Sequence, residues 1–402
     1  MSIDALFVPG SLLQANRSMH RQRIRAEAPE LPGPPSCSIG IPYRMSTPLL
    51  FQPISFRSVT ARNRIVVAPM CQYSANDGLG DDWHVQHLGA RAAGGAGIVF
   101  TEATHVSDIG RITPHCLGLY TPEHQALLAR LAAVITKCGS VPAMQIAHAG
   151  RKASNNVPWE GGKPISLQDG GWTPVAPSAL ASGPNANVPH ALSASEIGDV
   201  IGQFVNSARM AREAGFKIIE VHAAHGYLGH SFLSPVSNQR NDSYGGDLNG
   251  RMRFLLELIE AIRGEWPSEL PLWVRLSCTD WVPGGLTIED TVAVSRTLAA
   301  TGLVDLIDCS SGGLSHEQAI PSLHPGYQVP FAEAIRNQAG IATGAVGMIT
   351  EPTHAAEIVA NGRADVVLLA RALLADPAWP IRAAKALGMK PEVPPQYMRA
   401  TL

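Results

Sequence analysis

The chain has 402 residues, 45% hydrophobic and 16% charged, with a formal net charge of −2. That balance suits a soluble enzyme large enough to bury a barrel core, and it gives no electrostatic footing for nucleic acid or an anionic membrane. No apolar stretch reaches bilayer length, and the six cysteines (37, 71, 116, 138, 278 and 309) are too scattered for a disulfide framework or a cysteine-built metal site.

Residues 1–45 stand apart. Arg17, Arg21, Arg23 and Arg25 crowd one stretch, and the proline-rich run Pro29–Pro35 follows, a composition that cannot form a packed core. No apolar signal region is present, so the segment reads as an N-terminal extension, disordered or the product of an over-extended start before Met45. Residues 46–402 then form one domain, and scattered thiols make a cytoplasmic setting the expectation.

From Phe51 onward short apolar runs alternate with helical stretches. The runs are Arg64–Ala68, Gly97–Thr101, Val141–Ile146, Ile218–Val221, Leu272–Leu276, Leu306–Cys309, Ile341–Thr343 and Val366–Leu369. The helices expected after them are His84–Ala93, Pro122–Lys137, Ala194–Ala214, Asn249–Glu265, Ile288–Ala300, Pro330–Gln338, Pro352–Ala360 and Asp376–Leu387. Eight strands separated by helices imply parallel pairing and right-handed crossovers, hence an α/β fold, a (β/α)8 TIM barrel. Two connections are unusually long, from about Ala147 to Ser193 and from Leu228 to Asp247. Both leave strand ends, so the pattern predicts long rim loops after strands 3 and 4 that shape a cavity.

Each run ends in residues suited to chemistry, and in such barrels those ends share one rim. Ala68, Pro69, Met70, Cys71 and Tyr73 leave strand 1, where a rim cysteine is a nucleophile, a tuner of a bound ring or a small buried residue. Ala103 follows strand 2, and Gln145 ends strand 3 with an amide suited to the edge of a heterocycle. His222 and His225 follow strand 4, three residues apart, and can donate hydrogen bonds to one oxygen, with Tyr227 close by as a proton donor. No third ligand accompanies the H-x-x-H pair, so no metal is expected. Arg275 lies in an apolar strand and needs an anionic partner: a cofactor, or a core salt bridge to Glu102 or Glu220. Ser311 sits in a donor-rich turn, and Gly344, Gly347, Ala370 and Arg371 end strands 7 and 8, where barrels frequently hold a phosphate.

Taken together, Ala68–Tyr73, Gln145–Ala153, His222–Leu228, Asp242–Gly246 and Ala370–Arg371 resemble the old yellow enzyme family of FMN-dependent ene-reductases, in particular its bacterial thermophilic-type subclass of xenobiotic reductases and NADPH dehydrogenases. The resemblance covers nearly everything from Met45 to the C-terminus. It implies FMN as cofactor and NADPH or NADH as hydride donor, with reduction of the C=C bond of α,β-unsaturated carbonyl compounds, enones and enals. It further implies that Ala68, Pro69, Met70, Cys71, Ala103, Gln145 and Arg275 line the flavin, with Cys71 tuning it, and that Ala370 and Arg371 hold the phosphate. His222 and His225 would grip the substrate carbonyl, Tyr73 would assist, and Tyr227 would protonate Cα. Arg399 would reach a neighbouring subunit's site in a dimer or tetramer. One departure is Gly250, which stands before Arg251 where the family carries asparagine, with Asn249 beside it. A related dienoyl-CoA or amine dehydrogenase would carry an iron–sulfur cysteine cluster, whereas no cysteine follows Cys309. A catalytically silent barrel would leave the histidines and Tyr227 unused.

Overall fold

In the computed structural model, which describes residues 47–400, eight parallel strands close into a barrel. They are β1 Ile65–Val67, β2 Ile98–His105, β3 Val141–Ala147, β4 Ile218–Ala223, β5 Leu272–Ser277, β6 Leu306–Ser310, β7 Ala342–Ala345 and β8 Val366–Leu369. Spatial order equals chain order, and β8 pairs with β1 to complete the ring. The expected extension over residues 1–45 lies outside the described residues.

Side chains alternate between two layers, as strand geometry requires. Val66, Phe100, Ala143, Ile218, Trp273 and Leu368 point into the barrel, while Val67, Met144, Val221, Val274 and Ile307 meet the helices outside. Those helices are α1 Asp82–Ala93, α2 Pro122–Lys137, α3 Ala194–Glu213, α4 Leu248–Glu265, α5 Ile288–Thr301, α6 Val329–Ala339, α7 Pro352–Ala360 and α8 Trp379–Ala386. Their starts are set by local chemistry: reciprocal capping boxes join Asp81 to His84, Ser193 to Glu196 and Thr287 to Asp290. A hairpin, Ile54–Phe56 with Val59–Ala61, packs into the inner cluster at the strands' N-terminal end. There Phe56 meets Trp273 edge-on at 5.1 Å. Among the described residues no helix is long and apolar enough to cross a membrane.

Two boundaries need correction, the end of β2 and the last helix, while the two long rim connections are present as expected and carry local structure. Strand β2 continues past Thr101 to His105, through an irregularity between Phe100 and Ala103 that keeps it paired with β3. The long connection after β3 is structured, with three short 3-10 turns and a parallel two-residue ladder, Val175–Ala176 with His190–Ala191. That after β4 opens with a short helix, Leu228–Leu233, and the last predicted helix is two, Arg371–Ala375 and α8.

Candidate active site

The barrel's upper interior is polar. His222, Arg275, Asp308 and Gly344 align across β4, β5, β6 and β7, and Glu220 lies one inward position below His222. Arg275 Nε lies 3.0 Å from Asp308 Oδ2, so the guanidinium's anionic neighbour is Asp308 rather than Glu102 or Glu220. Gln145 Nε2 donates to Glu220 Oε1 at 2.8 Å. Burial, then the charge of Asp308, pushes the Glu220 carboxyl up to about 8, and burial raises Asp308 to about 6. Arg275 Nε, Glu220 Oε2 and both Asp308 oxygens are buried without a well-formed hydrogen bond. Such a layer has unspent capacity to bind.

At the C-terminal end of β4, His222, level with Arg275, forms one cluster with His225 and Tyr227. The His222 ring stands edge-on to His225 at 5.1 Å and to Tyr227 at 4.8 Å. The Ala224 N–H donates to His222 Nδ1 at 3.2 Å, which leaves the ring proton on Nε2. Burial, followed by the positive charge of Arg275, drives both imidazoles well below their usual range, so they are neutral donors at pH 7. His225 Nε2 meets Ser310 Oγ at 2.7 Å. Burial raises the Tyr227 phenol, which therefore keeps its proton. Lys152, absent from the sequence expectation, lies with its Nζ 5.3 Å from the Tyr227 ring centroid and donates to the carbonyls of His225 and Gly313.

The segment after β1 packs Cys71 and Tyr73 into the same apolar cluster as Tyr227 and Trp172. Tyr73 has a left-handed backbone, φ 50°, and its preceding neighbour Gln72 is tethered. The Gln72 N–H donates to Glu102 Oε2, and Glu102 Oε1 lies 3.2 Å from His84 Nε2. Burial, with Cys116 and Glu102 nearby, pushes the Cys71 thiol well up, which argues against a thiolate nucleophile. From the loop after β3, Trp172 donates to the Ile109 carbonyl at 2.8 Å, whereas Trp159 is 68% exposed and stands edge-on to Tyr73 at 5.8 Å.

At the ends of β7 and β8 a cavity of ≈ 310 Å³ is lined by Tyr327, Gln328, Gly347, Met348, Ala370 and Arg371. Gly347 has φ 118°, and a Cβ there would press on Gln328 at 3.1 Å. Gln328 accepts from Ser311 Oγ at 2.6 Å. Gly344 is explained by packing, since a Cβ would meet Leu368 at 2.4 Å. Met70 packs on the outer core, Ala68 and Ala103 are buried, and Arg399 lies in the exposed turn Pro395–Ala400, away from these groups in sequence and element. At Gly250 the helix start is intact: Asp247 caps α4 by accepting from the Gly250 N–H at 2.9 Å, and a Cβ there would lie 2.0 Å from the Gly245 carbonyl oxygen.

Sequence signals for Asp308 and Glu220 existed, because each is a lone acid within an apolar strand, the argument that singled out Arg275. Lys152, Gln328 and Tyr327 gave no such signal.

A sequence profile of the NADH:flavin oxidoreductase / NADH oxidase family matches residues 49–390. NADPH dehydrogenase of Geobacillus sp. (strain WCH70) is 46% identical over 356 residues, covering 87% of this chain and 98% of that one. Morphinone reductase in complex with tetrahydroNAD superposes with a TM-score of 0.70 at 26% identity, covering 87% of this chain and 94% of the other. A 2-naphthoyl-CoA reductase superposes with a TM-score of 0.76 at 28% identity, and the chain spans about half the length of that enzyme, covering 85% of itself and 52% of it.

Proposed function

Because the chain belongs to the NADH:flavin oxidoreductase / NADH oxidase family, we propose that it reduces the C=C bond of enones and enals, with Tyr227 as the proton donor. It is an old yellow enzyme-like oxidoreductase that uses FMN and NAD(P)H. The residues at hand fit that cofactor. The side-chain-free approach at Gly347 and the exposed Arg371 suit a phosphate. The Arg275 guanidinium, buried at the barrel's upper interior beside Asp308, suits an electron-rich ring edge. On this reading Ala68, Pro69, Met70, Cys71, Ala103 and Gln145 line the ring, and Ser311, Gly344 and Ala370 flank the tail. When bound, FMN supplies the hydride acceptor and donor that links NAD(P)H to the alkene carbon β to the carbonyl.

The protein's own groups do the rest. His222 presents Nε2–H to the carbonyl oxygen, and His225 exchanges its Ser310 contact for the same oxygen. Neutral imidazoles aimed at a developing enolate stabilise it without first losing a proton. Tyr73 and Trp172 form an apolar wall around the reacting carbons. Tyr227, protonated and adjoining His222, gives its proton to Cα. The single observation that carries the proposal is the His222 ring standing edge-on to both His225 and the protonated Tyr227 phenol, level with Arg275. Arg399 from a neighbouring copy completes the site in a homo-oligomer. The five cysteines among the described residues are free, which supports a cytoplasmic setting.

Tyr227→Phe tests the assignment. Reduction of the bound flavin by NADPH is expected to persist, while reduction of 2-cyclohexenone falls by about 10²–10⁴-fold, the range for losing a positioned general acid. Unchanged enone turnover in a stopped-flow assay would remove Tyr227 from the mechanism.

A further inference from the structure

The turn that carries His225 and Tyr227 is held from behind by side chains that never reach the pocket. Its two central residues are both left-handed, with φ 58° at His225 and 78° at Gly226, and His225 is not a residue that adopts this region freely. Something must over-determine them. The His225 N–H donates to Ser277 Oγ at 2.9 Å, and the Gly226 N–H donates to His230 Nδ1 at 2.8 Å. Behind His230, its Nε2 lies 2.8 Å from Asp280 Oδ1. Asp280 Oδ2 in turn accepts from Ser234 Oγ at 2.6 Å and from the Leu286 N–H at 2.7 Å. His230, Ser234 and Asp280 are all 0% exposed.

A backbone N–H can only donate, so Nδ1 of His230 carries no proton and the ring proton sits on Nε2, shared with the Asp280 carboxylate. Burial alone would raise that carboxyl, but the donors from His230, Ser234 and Leu286 outweigh it and keep it below its usual range. We propose that His230 is a positioning residue, locked by Asp280 in the Nε2–H tautomer so that its Nδ1 fixes the Gly226 peptide and, through it, His225 and Tyr227 on either side. The inference rests on the reading of those two residues as carbonyl-binding and proton-donating groups.

The test compares two substitutions in the full-length, FMN-loaded enzyme. The amide oxygen of His230→Asn falls near the former Nδ1 and still accepts from Gly226, while His230→Leu offers no acceptor. Both remove the Asp280 link equally. The expected result is a loss of about 10–100-fold in kcat for 2-cyclohexenone in His230→Leu, the usual scale for removing a group that orients a site residue, with much of the rate restored in His230→Asn. FMN content is expected to stay the same in both. Equal losses in the two variants would mean a merely structural role and overturn the proposal, as would no loss in either. Should His230→Leu fail to fold, nitrogen NMR of the wild-type ring decides: an Nε2–H tautomer with a bare Nδ1 supports the proposal, and a proton on Nδ1 overturns it. Unimpaired Tyr227→Phe would instead indict the underlying functional reading, whereas impaired Tyr227→Phe beside intact His230→Leu would indict only this inference.

Discussion

Replacing Glu220 by Gln should change how stability depends on pH, in a direction opposite to that of most carboxylates. Glu220 is wholly buried, and its carboxyl rises from an ordinary 4.5 to about 8, first through burial and then through repulsion by Asp308. The folded protein therefore binds this proton across a range in which the unfolded chain has already released it. Stability consequently falls as pH rises from about 4.5 to about 8 and levels off above. At about 1.4 kcal/mol per tenfold change in proton affinity, the ionised form costs the fold at most roughly 5 kcal/mol at the alkaline end. Glutamine resembles the protonated acid, keeps an oxygen for the 2.8 Å bond from Gln145, and does not titrate. Denaturant midpoints of FMN-loaded wild type and Glu220→Gln at pH 5, 7 and 9 provide the assay. The two should be similar at pH 5 and diverge in the variant's favour by pH 9. The repulsion between Asp308 and ionised Glu220 is relieved in the variant, so it adds to the divergence in the same direction. Parallel curves, or a variant that loses ground as pH rises, would refute the buried-acid argument.

Two other outcomes follow from local geometry. Gly250→Ala should lower the thermal midpoint despite alanine's better helix propensity, because its Cβ starts 2.0 Å from the Gly245 carbonyl oxygen. The overpacking cost of about 1–3 kcal/mol outweighs the roughly 1 kcal/mol that alanine gains, and a raised midpoint would contradict the steric reading. Cys71 should react slowly with iodoacetamide at pH 7, since its thiol is held well above the usual range. Peptide mapping that found it alkylated as fast as a small free thiol would show that burial does not protonate it.

The barrel was readable because its strands are buried on both faces and appear as short apolar runs between capped helices. Reading failed where polarity is internal. Glu102-Ala103-Thr104-His105 looks like loop, yet it is buried strand, because β2 stays paired with β3 while Thr104 bonds Thr101 and His105 Nδ1 meets the Leu117 carbonyl. Asp308 and Arg275 are each lone charges in apolar strands, and their pairing shows only once β5 and β6 lie side by side. His230 and Asp280 lie fifty positions apart and meet only once the β4 and β5 ends are adjacent. The rim cluster His222, His225 and Tyr227 was legible because its members lie within one turn.

The hairpin wedged beneath Trp273 makes the barrel a well with a stopper at its base. Whatever reaches the charged layer must come in and go out through the same doorway. On the proposed function, reductant and oxidant then compete for that doorway, and a surplus of either should slow turnover. Trp159, 68% exposed on the loop after β3, lies outside the inner cluster that the hairpin seals.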